Sequence, residues 1–272
     1  MSITRFVAVG PQTMHYQLDG QFVNALITGI PLVFINSLGS DLRIWDGVIP
    51  YFSERFPIIR YDKRGHGLSD CPPGPYTLRD HTMDLAGLLK VLEVPAAILI
   101  GVSIGGMIAL DFAHQYPDCV HALVLCDTGA RIGTAEAWTE RSAIVRQEGL
   151  TAIAPTILAR WFTSTFARNN PAALRGYSNM LTRTPVEGYA ATCEALRDAD
   201  LRDVVTSIDV PALVLCGDED LATPPTLADA LATALPKAQL QLIYQAGHLP
   251  SIEQPKVLAA EIKRFLKEMN YV

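Results

Sequence analysis

The apolar run Ala97-Ile98-Leu99-Ile100 leads directly into Gly101-Val102-Ser103-Ile104-Gly105-Gly106, and this stretch constrains the chain more than any other. A strand that turns abruptly into a helix forces unusual dihedrals on the residue at the turn and leaves no room for side chains two residues to either side, which explains glycine at 101 and 105. Met107 to His114 continues with helical character. The pattern therefore predicts strand, sharp turn and helix, with the Ser103 hydroxyl presented above the edge of a sheet.

The other segments agree with an α/β organisation. Ile3 to Val9 and Met14 to Leu18, separated by Gly10-Pro11 and followed by Asp19-Gly20, read as a hairpin-like opening. Pro31 to Ile35, Pro57 to Tyr61, His121 to Cys126, Pro211 to Cys216 and Leu240 to Tyr244 read as further strands, several of them continuously apolar as strands buried on both faces must be. Asp41 is placed to cap a helix carrying Ile44, Trp45 and Val48, and Thr77 to Leu92 has helical periodicity. Strands alternating with helices predict a mostly parallel central sheet with helices on both faces. Between Thr128 and about Thr206 the sequence becomes alanine-rich and helix-prone, as in Ala135 to Gln147 and Pro185 to Arg197. The expected division is a core of residues 1–127 and 207–272, with residues 128–206 inserted as a helical lid over the carboxyl edge of the sheet, where open α/β sheets bind ligands.

With 272 residues, 49% of them hydrophobic, the chain can bury a substantial core. A net charge of −6 and the lack of any lysine- or arginine-rich block argue against a nucleic-acid or membrane-surface partner, so an anionic substrate needs a local cation. Cys71, Cys119, Cys126, Cys193 and Cys216 show neither metal-ligand spacing nor a CxxC pair and read as reduced, mostly buried thiols. Met1 to Gly10 has no signal-like apolar stretch and no run approaches a membrane span, so a soluble cytoplasmic protein is expected. Oligomeric state is left open.

A serine hydroxyl needs a positioned base. His248, in Gln245-Ala246-Gly247-His248-Leu249-Pro250 just after the last strand, is the candidate; His66, between two glycines, competes but reads better as a loop residue bonded to backbone. The base needs a carboxylate to fix its tautomer. Asp220, closing Gly217-Asp218-Glu219-Asp220 after a strand, is favoured, with Asp218 as rival and Asp127 as a further alternative. The order Ser103, Asp220, His248 is that of an α/β-hydrolase fold. Oxyanion donors are expected from the backbone N–H of Ile104 and from the loop after Ile35, at Leu38.

From about residue 30 to the C-terminal helix the sequence resembles the 3-oxoadipate enol-lactonases. The resemblance lies in Asn36-Ser37-Leu38-Gly39, Asp41 to Asp46, Arg60 to Gly67, Gly101 to Met107, and Leu125 to Gly133, with Trp138 beyond. It implies hydrolysis of the cyclic enol ester of 3-oxoadipate, a late step in protocatechuate and catechol breakdown, with no metal or organic cofactor and a small anionic lactone or ester as partner. It also implies a cation for the substrate carboxylate, for which Arg131 is the first candidate and Arg43 the second, and it offers Trp138 as a cover for the ring. Lys63, Ile104 and Asp127 depart from the residues expected in many members, Asp127 replacing a common asparagine. Other readings of the same triad are a carboxylesterase or lactonase for another small substrate, a carbon–carbon bond hydrolase, and a slow-turnover ligand receptor.

Overall fold

The computed structural model describes residues 3–20, 22–23, 26–27 and 29–271; the ends of the expected core at 1–2 and 272 lie outside the described residues. Eight strands form one sheet: β1 (Ile3–Val9), β2 (Gln12–Gly20), β5 (Leu32–Ile35), β6 (Pro57–Tyr61), β7 (Ala97–Val102), β8 (Val120–Cys126), β9 (Ala212–Gly217) and β10 (Ala238–Ile243). A separate ladder pairs β3 (Phe22–Val23) with β4 (Leu26–Ile27). The sheet order is β1-β2-β6-β5-β7-β8-β9-β10. The β1–β2 and β2–β6 pairs are antiparallel, and every pair from β6 to β10 is parallel.

Burial explains the composition of the central strands. Every residue of β5, β6, β7 and β9 is buried, because helices cover both faces of the sheet and leave no side for polar alternation. Helices α1 (Leu78–Val91), α2 (Ile104–Gln115), α8 (Pro225–Ala234) and α10 (Pro255–Glu268) pack on the strands, and the short α9 (Pro250–Glu253) precedes α10. Helix α1 starts at a capping box in which Thr77 and Asp80 satisfy each other's backbone N–H. Helix α10 turns Leu258, Ala259, Ile262, Phe265 and Leu266 inward, the spacing of one helical face. None of the described helices is long and apolar enough to cross a membrane.

Strand β5 has β6 on one side and β7 on the other, so the connections leaving β5 and β7 diverge and open a crevice at the carboxyl ends of the strands. Between β8 and β9 the chain forms α3 (Ala135–Glu148), α4 (Leu150–Trp161), α5 (Ser164–Asn169), α6 (Pro171–Thr182) and α7 (Val186–Asp198). These helices pack on one another, α3 against α7 and α4 against α6. They also reach the loop after β5. Gly39 has φ +72°, and a Cβ there would lie 2.6 Å from Leu181 Cδ1 and 2.9 Å from the Tyr189 ring.

Two local expectations are corrected. Asp41 does cap, accepting a bond from Arg43 N, but the segment it starts is a 3₁₀ turn over Leu42–Trp45 that ends before Val48. Gly47 and Pro50 follow at once and do not support continued α-helix. The last strand starts at Ala238, earlier than the apolar residues alone indicate, because as an edge strand it is only partly covered and carries Gln239 and Gln241.

Leu181 is fully buried where α6 meets the β5 loop. Leu181→Ala should lower unfolding stability by about 2–5 kcal/mol, the cost of a poorly relaxing core cavity, measured by urea denaturation.

Candidate active site

Ser103 sits on the turn between β7 and α2 with φ 60° and ψ −122°, a conformation rarely adopted by a residue with a side chain. It is held from several sides. Its N–H donates to Cys126 O at 3.0 Å, and its carbonyl accepts from Gly106 N at 2.9 Å and from Thr128 Oγ1 at 2.6 Å. The crowding that requires glycine is direct, since a Cβ on Gly101 would lie 2.2 Å from Gly105 O and one on Gly105 would lie 2.4 Å from Ile35 O. The elbow is thus wedged against the end of β5.

His248 lies in the loop between β10 and α9, and Asp220 in the loop after β9. His248 Nδ1 is 2.9 Å from Asp220 Oδ2, with both side chains almost fully buried. Nδ1 also lies 3.1 Å from Thr223 Oγ1, and a proton on Nδ1 directed at the carboxylate leaves the lone pair of the neutral ring on Nε2. Asp220 also accepts from Thr223 Oγ1 at 2.5 Å, Thr223 N at 3.1 Å and Ala222 N at 2.7 Å. Burial pushes its carboxyl up, but the His248 charge and these hydrogen bonds outweigh burial and hold it below the usual aspartate value. The rival Asp218 instead accepts from Ala246 N at 3.4 Å.

Ser103 and His248 line one cleft of about 100 Å³, together with Ser37, Leu38, Trp138, Tyr189 and two arginines, Arg141 and Arg160. Trp138 is held by an Nε1–H bond to Ile132 O at 2.6 Å. The Arg141 guanidinium lies 4.6 Å from the centre of the Trp138 ring. Arg160 donates to Leu221 O at 3.2 Å. Among the described residues neither guanidinium forms a carboxylate salt bridge.

The two arginines chosen from sequence are elsewhere. Arg131 binds Asp200 at 3.0 Å, while its neighbours Ile132 and Gly133 face the cleft in its place. Arg43 forms two bonds to Asp41, at 2.9 and 2.6 Å, with its guanidinium largely in solvent. Both are satisfied by a carboxylate that sequence position does not reveal. A signal for Arg141 was present, since it follows Trp138 by three residues on one helix and shares its face. Also missed was Glu253, which accepts from Gly247 N at 2.8 Å beside His248 and from Thr163 Oγ1 at 2.7 Å in the helical segment.

His66 is buried and accepts from Gly39 N at 3.0 Å through Nε2, with Nδ1 3.0 Å from Arg64 O. Burial and the Lys63 charge keep it neutral. It therefore braces the loop that carries Leu38, which lines the cleft beside Ser103; Ile104 follows Ser103 as the first residue of α2.

A family model described as the alpha/beta hydrolase family matches residues 32–261. The chain belongs to that family. As an alpha/beta hydrolase it is 37% identical to 3-oxoadipate enol-lactonase 2 of Acinetobacter baylyi, over 88% of this chain and 89% of that protein. The crystal structure of the enol-lactonase from Burkholderia xenovorans superimposes with a TM-score of 0.93 at 36% identity, covering 97% of this chain and all of the other. A thermophilic esterase from Thermogutta terrifontis, solved with malate bound, has a TM-score of 0.89 at 30% identity, covering 99% of each chain. The chain is accordingly an alpha/beta hydrolase with enol-lactonase relatives.

One carboxyl of this hydrolase stands behind the Asp220–His248 pair. Asp127 is fully buried at the end of β8, accepts from Gly217 N at 2.8 Å, and lies with Cys216 near Asp220. Burial, followed by the negative charge of Asp220, pushes its carboxyl well above the usual range. The folded state therefore holds a proton there that the unfolded chain releases above its ordinary value of 3.8, so the stability supplied by Asp127 falls as pH rises from about 4 toward its folded value. Asp127→Asn keeps the neutral form at every pH. Its unfolding free energy relative to the parent should rise between pH 5 and pH 8; equal urea curves at both pH values would contradict a protonated Asp127.

Proposed function

We propose that the chain is a serine hydrolase that opens 3-oxoadipate enol-lactone to 3-oxoadipate, in the breakdown of protocatechuate and catechol. The observation that carries this reading is the placement of Ser103 and His248 in one cleft with Arg141 and Arg160, two cations lacking carboxylate partners among the described residues. In a chain of net charge −6 that is the local cation a carboxylate substrate needs. The identity to enol-lactonases over most of the chain supports the choice of lactone, and the malate in the related esterase is a further acidic ligand on this fold.

Asp220, 2.9 Å from Nδ1, orients the His248 imidazole and stabilises the charge it acquires, leaving Nε2 to serve Ser103 as base. His248 takes the Ser103 proton as Oγ attacks the lactone carbonyl. The oxyanion that forms is met by the backbone N–H groups of Leu38 and Ile104. Collapse breaks the ring C–O bond, and the departing enolate takes the proton that His248 holds, becoming the ketone while remaining joined to the acyl-enzyme and returning His248 to its neutral form. Water, deprotonated by His248, then frees the second carboxylate and restores Ser103. One or both guanidiniums grip the carboxylate that the substrate carries throughout, and Trp138 covers the ring. Residues 128–206 act as the lid, and the substrate is a small molecule rather than a nucleic acid or membrane.

Steady-state hydrolysis of freshly prepared enol-lactone, beside a neutral p-nitrophenyl ester, tests this. The lactone should have the far higher kcat/KM, with Ser103→Ala abolishing turnover and Asp220→Asn lowering kcat by on the order of 10⁴. Arg141→Met and Arg160→Met should each lower kcat/KM for the lactone by about tenfold or more and leave the neutral ester within a few-fold. Equal or better activity on the neutral ester would remove the proposed substrate and favour a general esterase.

A further inference from the structure

Lys63 is among the largest side chains with essentially no solvent exposure. A lysine so deeply buried is rare unless a carboxylate pairs with it. Here the nearby carboxylates are otherwise engaged: Asp62 accepts from Leu42 N and Leu68 N, both at 2.9 Å, and contacts His15 Nδ1 at 2.6 Å, while Asp41 holds Arg43. Lys63 Nζ instead donates to the carbonyl of Ser37 at 2.6 Å. That oxygen also accepts from Ser40 Oγ at 2.9 Å and Ser40 N at 3.3 Å.

The Ser37 carbonyl and the Leu38 N–H are the two ends of one planar peptide unit. Amide resonance couples them, so a cation bonded to the oxygen draws electron density from the nitrogen and makes its N–H a stronger donor. A fixed peptide plane also fixes where that N–H points, and a donor fixed in advance is what stabilises developing charge at least cost. We propose that Lys63 is a positioning residue for catalysis, acting through the 37–38 peptide to orient and polarise the Leu38 N–H toward the oxyanion of the reacting ester. The inference rests on the hydrolase reading above, in which Leu38 is an oxyanion donor.

The charge of Lys63 is conditional. Burial pulls its ammonium down to about 7, against the opposing charges of Asp62 and Asp41. The imidazoles of His66 and His81 also stand within its field, each kept neutral by burial first and by the Lys63 charge second, with Arg64 adding to the effect on His81. As pH rises through about 7 the ammonium loses its proton, and its pull on the peptide weakens. An arm of the kcat profile that descends toward alkaline pH is the expected signature.

The test compares the intact protein with Lys63→Met and Lys63→Gln, folding being checked by thermal melting. At pH 6.5 both variants should lose about tenfold in kcat on the lactone with KM within twofold, less than the loss of a whole oxyanion donor. Their kcat should lack the descending arm that the parent shows between pH 6.5 and 8.5. A trifluoromethyl ketone, which forms an oxyanion on Ser103, should bind them about tenfold more weakly, whereas malate should bind all three alike. A folded variant with the parent's kcat, pH profile and ketone affinity would overturn the proposal. If neither variant folds, a flat parent kcat across that range would overturn it equally. Turnover that survives Ser103→Ala would instead fell the hydrolase reading, whereas dead Ser103→Ala beside an unaffected Lys63→Met would fell this inference alone.

Discussion

The site depends on one register, the parallel pairing that sets Ile35 opposite Gly101. It brings β5 and β7 to an end at the same level, so the loop after β5 and the turn after β7 leave the sheet side by side. The contact is so close that Gly105 has space for no side chain against Ile35 O. A shift of one residue in that pairing would separate Leu38 from Ser103 by a strand step of about 3.3 Å, more than a hydrogen bond tolerates. Burial of every residue in β5 and β7 makes such a shift costly, since it would reverse the face on which each side chain packs. Stability of the sheet and geometry of the cleft are therefore the same constraint.

Features fixed by short-range chemistry were legible in the sequence. The elbow needs glycines two residues from Ser103, the central strands need unbroken apolar runs, and Thr77 with Asp80 marks the start of a helix; each is written in neighbouring residues. Asp220 and His248 were legible for a related reason, because each sits in a loop directly after a strand whose position is itself readable. The cations that line the cleft were not. Arg131 and Asp200 are far apart in the chain, and only tertiary packing reveals that they pair. Arg141 and Arg160 come from different helices, and their convergence depends on how α3 and α4 pack, which their own periodicity does not specify.

Asp127 and Lys63 show why residue type alone does not give charge. Asp127 ends a strand as many aspartates do, yet it stands beside a second carboxyl out of contact with water. Two ionised carboxyls there would repel each other, so the pair favours a single negative charge. Among the described residues four hydrogen-bonding contacts converge on Asp220, three of them from the 222–223 segment and one from His248, whereas Asp127 has Gly217 N as its backbone donor and the weaker Cys216 thiol beside it. The negative charge therefore resides on Asp220, and Asp127 takes the proton.

The cleft is consequently ordered by charge along the path of the proposed reaction. Behind His248 stands one anion, Asp220, with its neighbour Asp127 neutral; in front are Arg141 and Arg160; beneath the β5 loop is Lys63. In the proposed reaction, positive charge would appear on His248, next to the anion, and negative charge on the substrate carbonyl oxygen. Groups oriented before a reaction need not reorganise during it, which is why preorganised charges favour a transition state over a bound ground state. On the proposed reading the arginines alone would not provide this preference, since they would meet a carboxylate that is charged from beginning to end and hold substrate and transition state nearly alike. On that reading, discrimination between the two states would fall to the groups aimed at the carbonyl oxygen, and the buried lysine bonded to the Ser37 carbonyl would bear on that oxygen without competing for the carboxylate.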